Sequence, residues 1–279
     1  MRVAVKYKVH YYAQIYFRKD TINMGKPIII TFANQKGGVG KTTSAVNIAA
    51  AVGALGYRVL LCDLDPQGNA TSGVGVSKKS LRYSAYDALI GACDPHLAVY
   101  KTNFKNLCVM PSTIDLAGAE IELIEMDERE YAFKKVLDAV GGDFDFIFTD
   151  CPPSLSILTI NVLSAADGVV IPMQCEYYSL EGLSQLMISI KKVKQLYNKD
   201  LTITGILITM YNGRLNLSAH VLSEIKKYYA DKLFSTSVTR NVKLTEAPSF
   251  GEPIYYYDKY SKGSIAYTEI AKELISRVL

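Results

Sequence analysis

A glycine-rich stretch between two apolar ones restricts this chain more than anything else in it. Gln35-Lys36-Gly37-Gly38-Val39-Gly40-Lys41-Thr42-Thr43 follows the apolar run Pro27-Ile28-Ile29-Ile30-Thr31-Phe32-Ala33. It precedes an alanine-rich segment in which Ile48, Val52 and Leu55 fall on one helical face, with Gly56 as the stop. Strand, glycine loop and helix in this order form the setting of a phosphate-binding loop. Backbone N–H groups from Gly37 to Thr43 converge on phosphate oxygens, and the helix starting near Lys41 adds its positive end. In that reading Lys41 lies against the β/γ-phosphates and the Thr42 hydroxyl ligates Mg²⁺. The usual pattern places glycine where Gln35 stands, and it has no use for the second lysine, Lys36.

The rest of the chain alternates strands with helices. Apolar runs at 58–63, 144–150, 169–172 and 201–210 read as strands, and 84–91, 114–140, 179–198, 217–230 and 264–278 as helices. The predicted fold class is therefore α/β: a P-loop NTPase with a mostly parallel twisted sheet and helices on both faces. No linker or repeat divides 25–279, so one domain is expected there. Two of the strands end in carboxylates, where open α/β sheets bind ligands. Asp63 and Asp65 lie in the turn Asp63-Leu64-Asp65-Pro66-Gln67-Gly68-Asn69, and Asp150 opens Asp150-Cys151-Pro152-Pro153. Asp150 suits a Mg²⁺-holding role or, more blandly, a helix cap. Asp65 is the candidate for orienting the attacking water, with Asp63 nearer the metal and turn chemistry before Pro66 as the plain alternative.

Charge decides what else needs explaining. The net charge is +4. Residues 1–24 contain Arg2, Lys6, Lys8, Arg18 and Lys19 against Asp20, so the remainder is neutral overall. Nucleic-acid binding by the body then needs a local basic patch rather than bulk charge. Residues 1–24 read as a basic arm or as an upstream start ahead of Met24, and the second reading is preferred. The five cysteines lie in no zinc or disulfide spacing, which suggests a reducing, cytoplasmic compartment. No apolar run reaches the roughly 20 residues that cross a bilayer.

The motifs together resemble the deviant Walker A ATPases of the ParA/Soj family, within the ParA/MinD superfamily. Those carrying the resemblance are Lys36 to Thr43, Asp63 to Thr71, Asp150 to Pro153, Pro111 to Glu120 and Glu246 to Gly251; it extends over about 26–278. It implies that Lys36 reaches across an ATP-sandwich homodimer to the partner's nucleotide, giving a catalytic set of Lys36, Lys41 and Asp65. It implies adenine contacts from Asn212 and from Asn241, the latter in a segment where Thr239 replaces the usual proline. It implies non-specific double-stranded DNA binding through Arg214, Arg240 and Lys243, nucleoid association, and hydrolysis stimulated by a ParB-like centromere-binding protein.

The alternative is a MinD-like membrane ATPase, which needs a basic amphipathic C-terminal helix. The end here, 271–279, is short and weakly basic. Iron–sulfur reductases of the nitrogenase iron-protein type need cluster cysteines that the glycine-rich turns lack. A tyrosine-kinase reading of Tyr255-Tyr256-Tyr257 and Tyr260 fails because a helix follows them.

Overall fold

Strands whose side chains are apolar on both faces need cover on both faces, and parallel pairing provides it. The computed structural model describes residues 26–279, so the readings made for 1–24 lie outside the described residues. The elements in chain order are β1 (Ile28–Phe32), α1 (Lys41–Ala54), β2 (Val59–Asp63), α2 (Asn69–Gly73), α3 (Ala85–Leu89), β3 (Tyr100–Lys101), β4 (Leu107–Met110), α4 (Leu116–Glu122) and α5 (Ala132–Val140). They continue with β5 (Phe146–Asp150), α6 (Ile157–Ala165), β6 (Gly168–Met173), α7 (Ser179–Leu196), β7 (Thr202–Ile208), α8 (Asn216–Tyr229), α9 (Val242–Glu246), α10 (Ile254–Tyr257) and α11 (Lys262–Val278).

The described residues form one seven-stranded sheet ordered β3-β4-β2-β5-β1-β6-β7. Every pairing is parallel except β3 with β4. Side chains alternate between two cores: Leu60 and Cys62 enter one, Val59 and Leu61 the other. The first core lies under α3 to α8; the second lies under α1 and α11. Helix α1 is buried from Ser44 to Gly53 almost all round. That explains its run of alanines, which let it lie close between the sheet and α11. Leu55, expected on the buried face, caps its end and is exposed.

The parallel registers set the site. Asp63 is paired with Asp150, and Phe32 with Asp150. The chain thus leaves β1 for the glycine loop beside the two strand-end carboxylates.

Two expectations needed correction. The helix expected over 114–140 is broken: α4 tightens into a 3₁₀ turn and α5 begins afresh at Ala132. The break is made by a residue on α6. Asn161 is fully buried; its Oδ1 accepts from Phe133 N–H at 3.0 Å, and its Nδ2 donates to Arg129 O at 2.7 Å and Ile157 O at 3.0 Å. This capping bond comes from across the fold, so no local pattern announces it. The strands β3 and β4 were not anticipated, because two and four residues are too few to show a period.

Replacing Asn161 with alanine leaves the Phe133 N–H and Arg129 C=O buried without that partner. The expected cost is about 2–3 kcal/mol, read as a lower urea midpoint at unchanged slope.

Candidate functional site

The glycine loop follows from where β1 stops. Ala33 N–H still bonds Val170 O at 3.1 Å; Asn34 then turns out of the sheet, donating to Pro172 O at 2.8 Å and accepting from Lys36 N–H at 3.0 Å. Gly38 and Gly40 have φ of 73° and 84°, a left-handed backbone that glycine adopts without strain. Gly40 is the N-cap of α1 and offers no side-chain acceptor, and the first turn carries no acidic residue. The orphan N–H groups and positive end of a 14-residue helix are left for an anion. Lys41 opens that helix with only 7 % exposure, its Nζ donating to Lys36 O at 3.3 Å. Thr209, at the end of β7, braces the loop through its hydroxyl to Val39 O at 2.8 Å.

Beside the loop lie the carboxylates. Asp63 and Asp150 are both fully buried. Asp63 is occupied: Oδ2 accepts Thr71 N–H and Thr71 Oγ1, each at 2.7 Å, and Oδ1 accepts Asp65 N–H at 3.3 Å. Its first duty is therefore to hold the turn that follows β2. Neither oxygen of Asp150 meets a hydrogen-bond partner, and the buried Thr31 and Thr149 hydroxyls lack one as well. Thr42 lies near enough to favour the ionised form of Asp150 without closing a good bond. Burial pushes the Asp150 carboxyl well above the ordinary range, with the Asp63 charge adding to it. Burial likewise pushes Asp63 up to about 6, despite its bonds to Thr71. A buried carboxylate without donors, beside a second one, suits a cation. No group of three or more His, Cys, Asp or Glu among the described residues could cage a metal. The arrangement fits a hard divalent ion such as magnesium, which takes one or two protein oxygens and draws its remaining ligands from water and phosphate. Asp65 lies in the turn after β2, half-buried, its Oδ1 accepting Gln67 N–H at 2.9 Å.

On the other side of α1's first turn is a cleft of ≈ 450 Å³. Thr239, Arg240 and Asn241 line it, together with Met210, Pro248 and Tyr267. Asn241 also caps α9, accepting Lys243 N–H at 2.8 Å. Asn212 is not among the lining residues; its Oδ1 accepts Arg214 N–H at 3.1 Å. A parallel bridge between Tyr211 and Thr239 sets the two segments side by side. Arg214, Arg240 and Lys243 are exposed on them. Lys243 is paired with Glu246 at 3.0 Å and sits 5.6 Å from the Tyr257 ring centre. Lys36, also exposed, is paired with Glu176.

Sequence reasoning passed over Thr71, Thr209, Gln174 and Glu176. Thr209, Gln174 and Glu176 follow β6 and β7, which end at the same sheet edge as β2 and β5.

The chain is similar to known proteins over most of its length. A family model described as an AAA domain matches residues 28–203. The chain is 52 % identical over 251 residues to the sporulation initiation inhibitor protein Soj of Bacillus subtilis, covering 90 % of this chain and 98 % of that protein. It is 47 % identical over 249 residues to the chromosome partitioning protein ParA of Myxococcus xanthus, covering 89 % and 88 %. Among solved structures it is similar to the cobyrinic acid a,c-diamide synthase of Mycobacterium smegmatis with bound ADP and magnesium. That match has a TM-score of 0.78, 38 % identity, and coverage of 89 % of this chain and 94 % of that one.

The two raised carboxyls carry a pH signature. Both bind protons more tightly in the fold than in the unfolded chain, so stability falls as pH rises from near 4 through the folded value, about 6 for Asp63. Without ligand, Asp150→Asn removes one buried charge and relieves Asp63. The variant is expected to exceed the parent's unfolding free energy at pH 8, with the gap closing near pH 4. A gap independent of pH in urea titrations would count against the charge argument.

Proposed function

The chain belongs to the ParA/Soj family of chromosome-partitioning ATPases, and from that membership we propose a specific cycle for it. ATP binds with Mg²⁺ along the glycine loop, two loaded copies close into a sandwich, the dimer holds DNA without sequence preference, and hydrolysis releases it. The observation that carries the reading is the combination at one sheet edge of an uncapped helix N-terminus, the buried Lys41 and the partnerless Asp150.

Each residue has a role that its placement supports. The N–H groups from Gly37 to Thr43 hold phosphate oxygens, and Lys41 supplies the fixed positive charge. Thr42 and Asp150 would hold magnesium, with Asp63 behind them. The bound ion would neutralise phosphate charge as the terminal phosphoryl group is displaced. Asp65 positions the attacking water and takes its proton. Thr239 and Asn241 hold the base in the ≈ 450 Å³ cleft, with Asn212, next to the Tyr211 that bridges Thr239, as the second adenine contact. Lys36 acts on the partner's nucleotide, where a cation stabilises charge that grows towards the transition state.

DNA is held by Arg214, Arg240 and Lys243. Phosphate contacts of this kind give salt-dependent affinity without sequence choice. A ParB-like partner stimulates hydrolysis, and the site of action is the cytoplasmic nucleoid. The packing of α11 favours this reading over a membrane-bound one. Its apolar face, including Tyr267, Ile270 and Leu274, is buried in the core that it shares with α1. No helix among the described residues is long and apolar enough to cross a membrane.

Specific ATPase activity is expected to rise with protein concentration. Lys36→Ala should abolish turnover and ATP-dependent dimerisation in light scattering while weakening nucleotide binding by the monomer far less; a variant that turned over normally as a monomer would sink the dimer mechanism. Lys243→Glu should abolish DNA retention at moderate salt and spare ATP-dependent dimerisation, and unchanged retention would remove that patch from the proposal.

A further inference from the structure

The outer half of the glycine loop is fastened to the end of β6, the connection that follows it and the middle of α7. Asn34 Nδ2 donates to Pro172 O and Gln174 Nε2 to Gly38 O, both at 2.8 Å, and Gln35 Nε2 reaches Ser189 Oγ at 3.3 Å. The fourth link is charged: Lys36 Nζ donates to the Glu176 carboxylate. The main chain at Lys36 is itself tied on both sides, its N–H to Asn34 Oδ1 and its C=O to Lys41 Nζ. A change of Lys36 rotamer can therefore break the charged link while the loop keeps its shape. The two side chains are 43 % and 51 % exposed, so the pair exchanges with water and is not locked by packing.

A lysine that acts on a partner's nucleotide cannot at the same moment lie on its own Glu176. We propose that Glu176 is a positioning residue for Lys36, holding the ammonium over its own loop until a second nucleotide-loaded copy of the chain competes for it. The inference rests on the dimer reading above. Exposed pairs of this kind are individually weak and leave roughly a third to a fifth of the lysines unpaired at any instant. A symmetric dimer needs both lysines free, so the penalty on association is the square, roughly ten- to twenty-five-fold. A weak contact thereby sets the protein concentration at which the assembly forms, and does so without touching the nucleotide. The neighbouring links from Asn34 and Gln174 remain in place, so the cradle is kept while the lysine changes partner.

Two readouts on Glu176→Gln test this. In the nucleotide-free monomer, acetylation by an N-hydroxysuccinimide ester followed by mass spectrometry should show Lys36 modified roughly three- to five-fold faster, with Lys41 unchanged. With ATP and magnesium, the protein concentration at half-maximal specific ATPase activity should fall roughly ten- to twenty-five-fold. Glu181→Gln removes the same charge one turn into α7 and should leave both readings at the parent's values. The proposal is overturned if Glu176→Gln changes neither, if Glu181→Gln matches it, or if Glu176→Gln loses turnover at saturating protein. A parent activity independent of concentration, with Lys36→Ala still active, would instead sink the dimer reading on which the inference stands.

Discussion

A buried ammonium and two buried carboxylates are held at one edge of the sheet without pairing with each other. Lys41 takes only a backbone carbonyl, that of Lys36; Asp63 takes Thr71 and Asp65; Asp150 takes nothing. In a fold selected for stability alone, charges this close to one another would be paired or replaced by apolar residues, because an unpaired buried charge is costly. Here the backbone keeps them apart. Lys41 is committed to the first turn of α1, and the carboxylates to the last positions of β2 and β5. Opposite charges separated in this way match a ligand that brings both signs with it, an anion for the lysine and a cation for the carboxylate. The remaining architecture serves to maintain that separation.

The sheet is what makes it possible. Parallel pairing puts Asp63 and Asp150 in register, and the neighbouring β1 delivers the loop to the same edge. β2 and β5 are buried along their whole length, so the carboxylates at their ends are held away from water. Cys62 and Cys151, the neighbours of Asp63 and Asp150, are also buried, and burial raises both thiols. They act as small apolar spacers.

Much of this was legible in the sequence because it is local. The glycine loop, the two strand-end aspartates and the long helices α7, α8 and α11 each have a sequence pattern several residues long. The cleft beside α1 was legible in half: the segment from Thr239 to Asn241 lines it, while Asn212 turns its amide oxygen to its own loop. What escaped depends on contacts distant in sequence. Asn161 ends one helical stretch and starts another from 28 residues away. Thr209 braces the loop at Val39 from 170 residues away. Gln174 and Glu176 meet the loop only because β6 lies beside β1. A periodic pattern reports how a segment faces the core, and it carries no information about which side chain will reach a distant carbonyl.

The same topology links the carboxylate edge to the segment bearing the basic residues. Asp63 holds Thr71, and the Thr71 hydroxyl accepts from Ser112 N–H at 2.9 Å, so α2 is fastened at both the strand and the neighbouring loop. After α2 the chain passes Gly75, where the backbone meets Gly251 so closely that a Cβ on Gly251 would lie 2.7 Å from the Gly75 Cα. Gly251 ends the turn containing Pro248, and Pro248 lines the ≈ 450 Å³ cleft with Asn241, the cap of the helix that carries Lys243. Two glycines with left-handed backbone, φ 74° and 66°, let these stretches touch main chain to main chain. Such a contact has little slack, since no side chain stands between to absorb a shift. The stretch after α2 and the 247–251 turn are thus in direct main-chain contact.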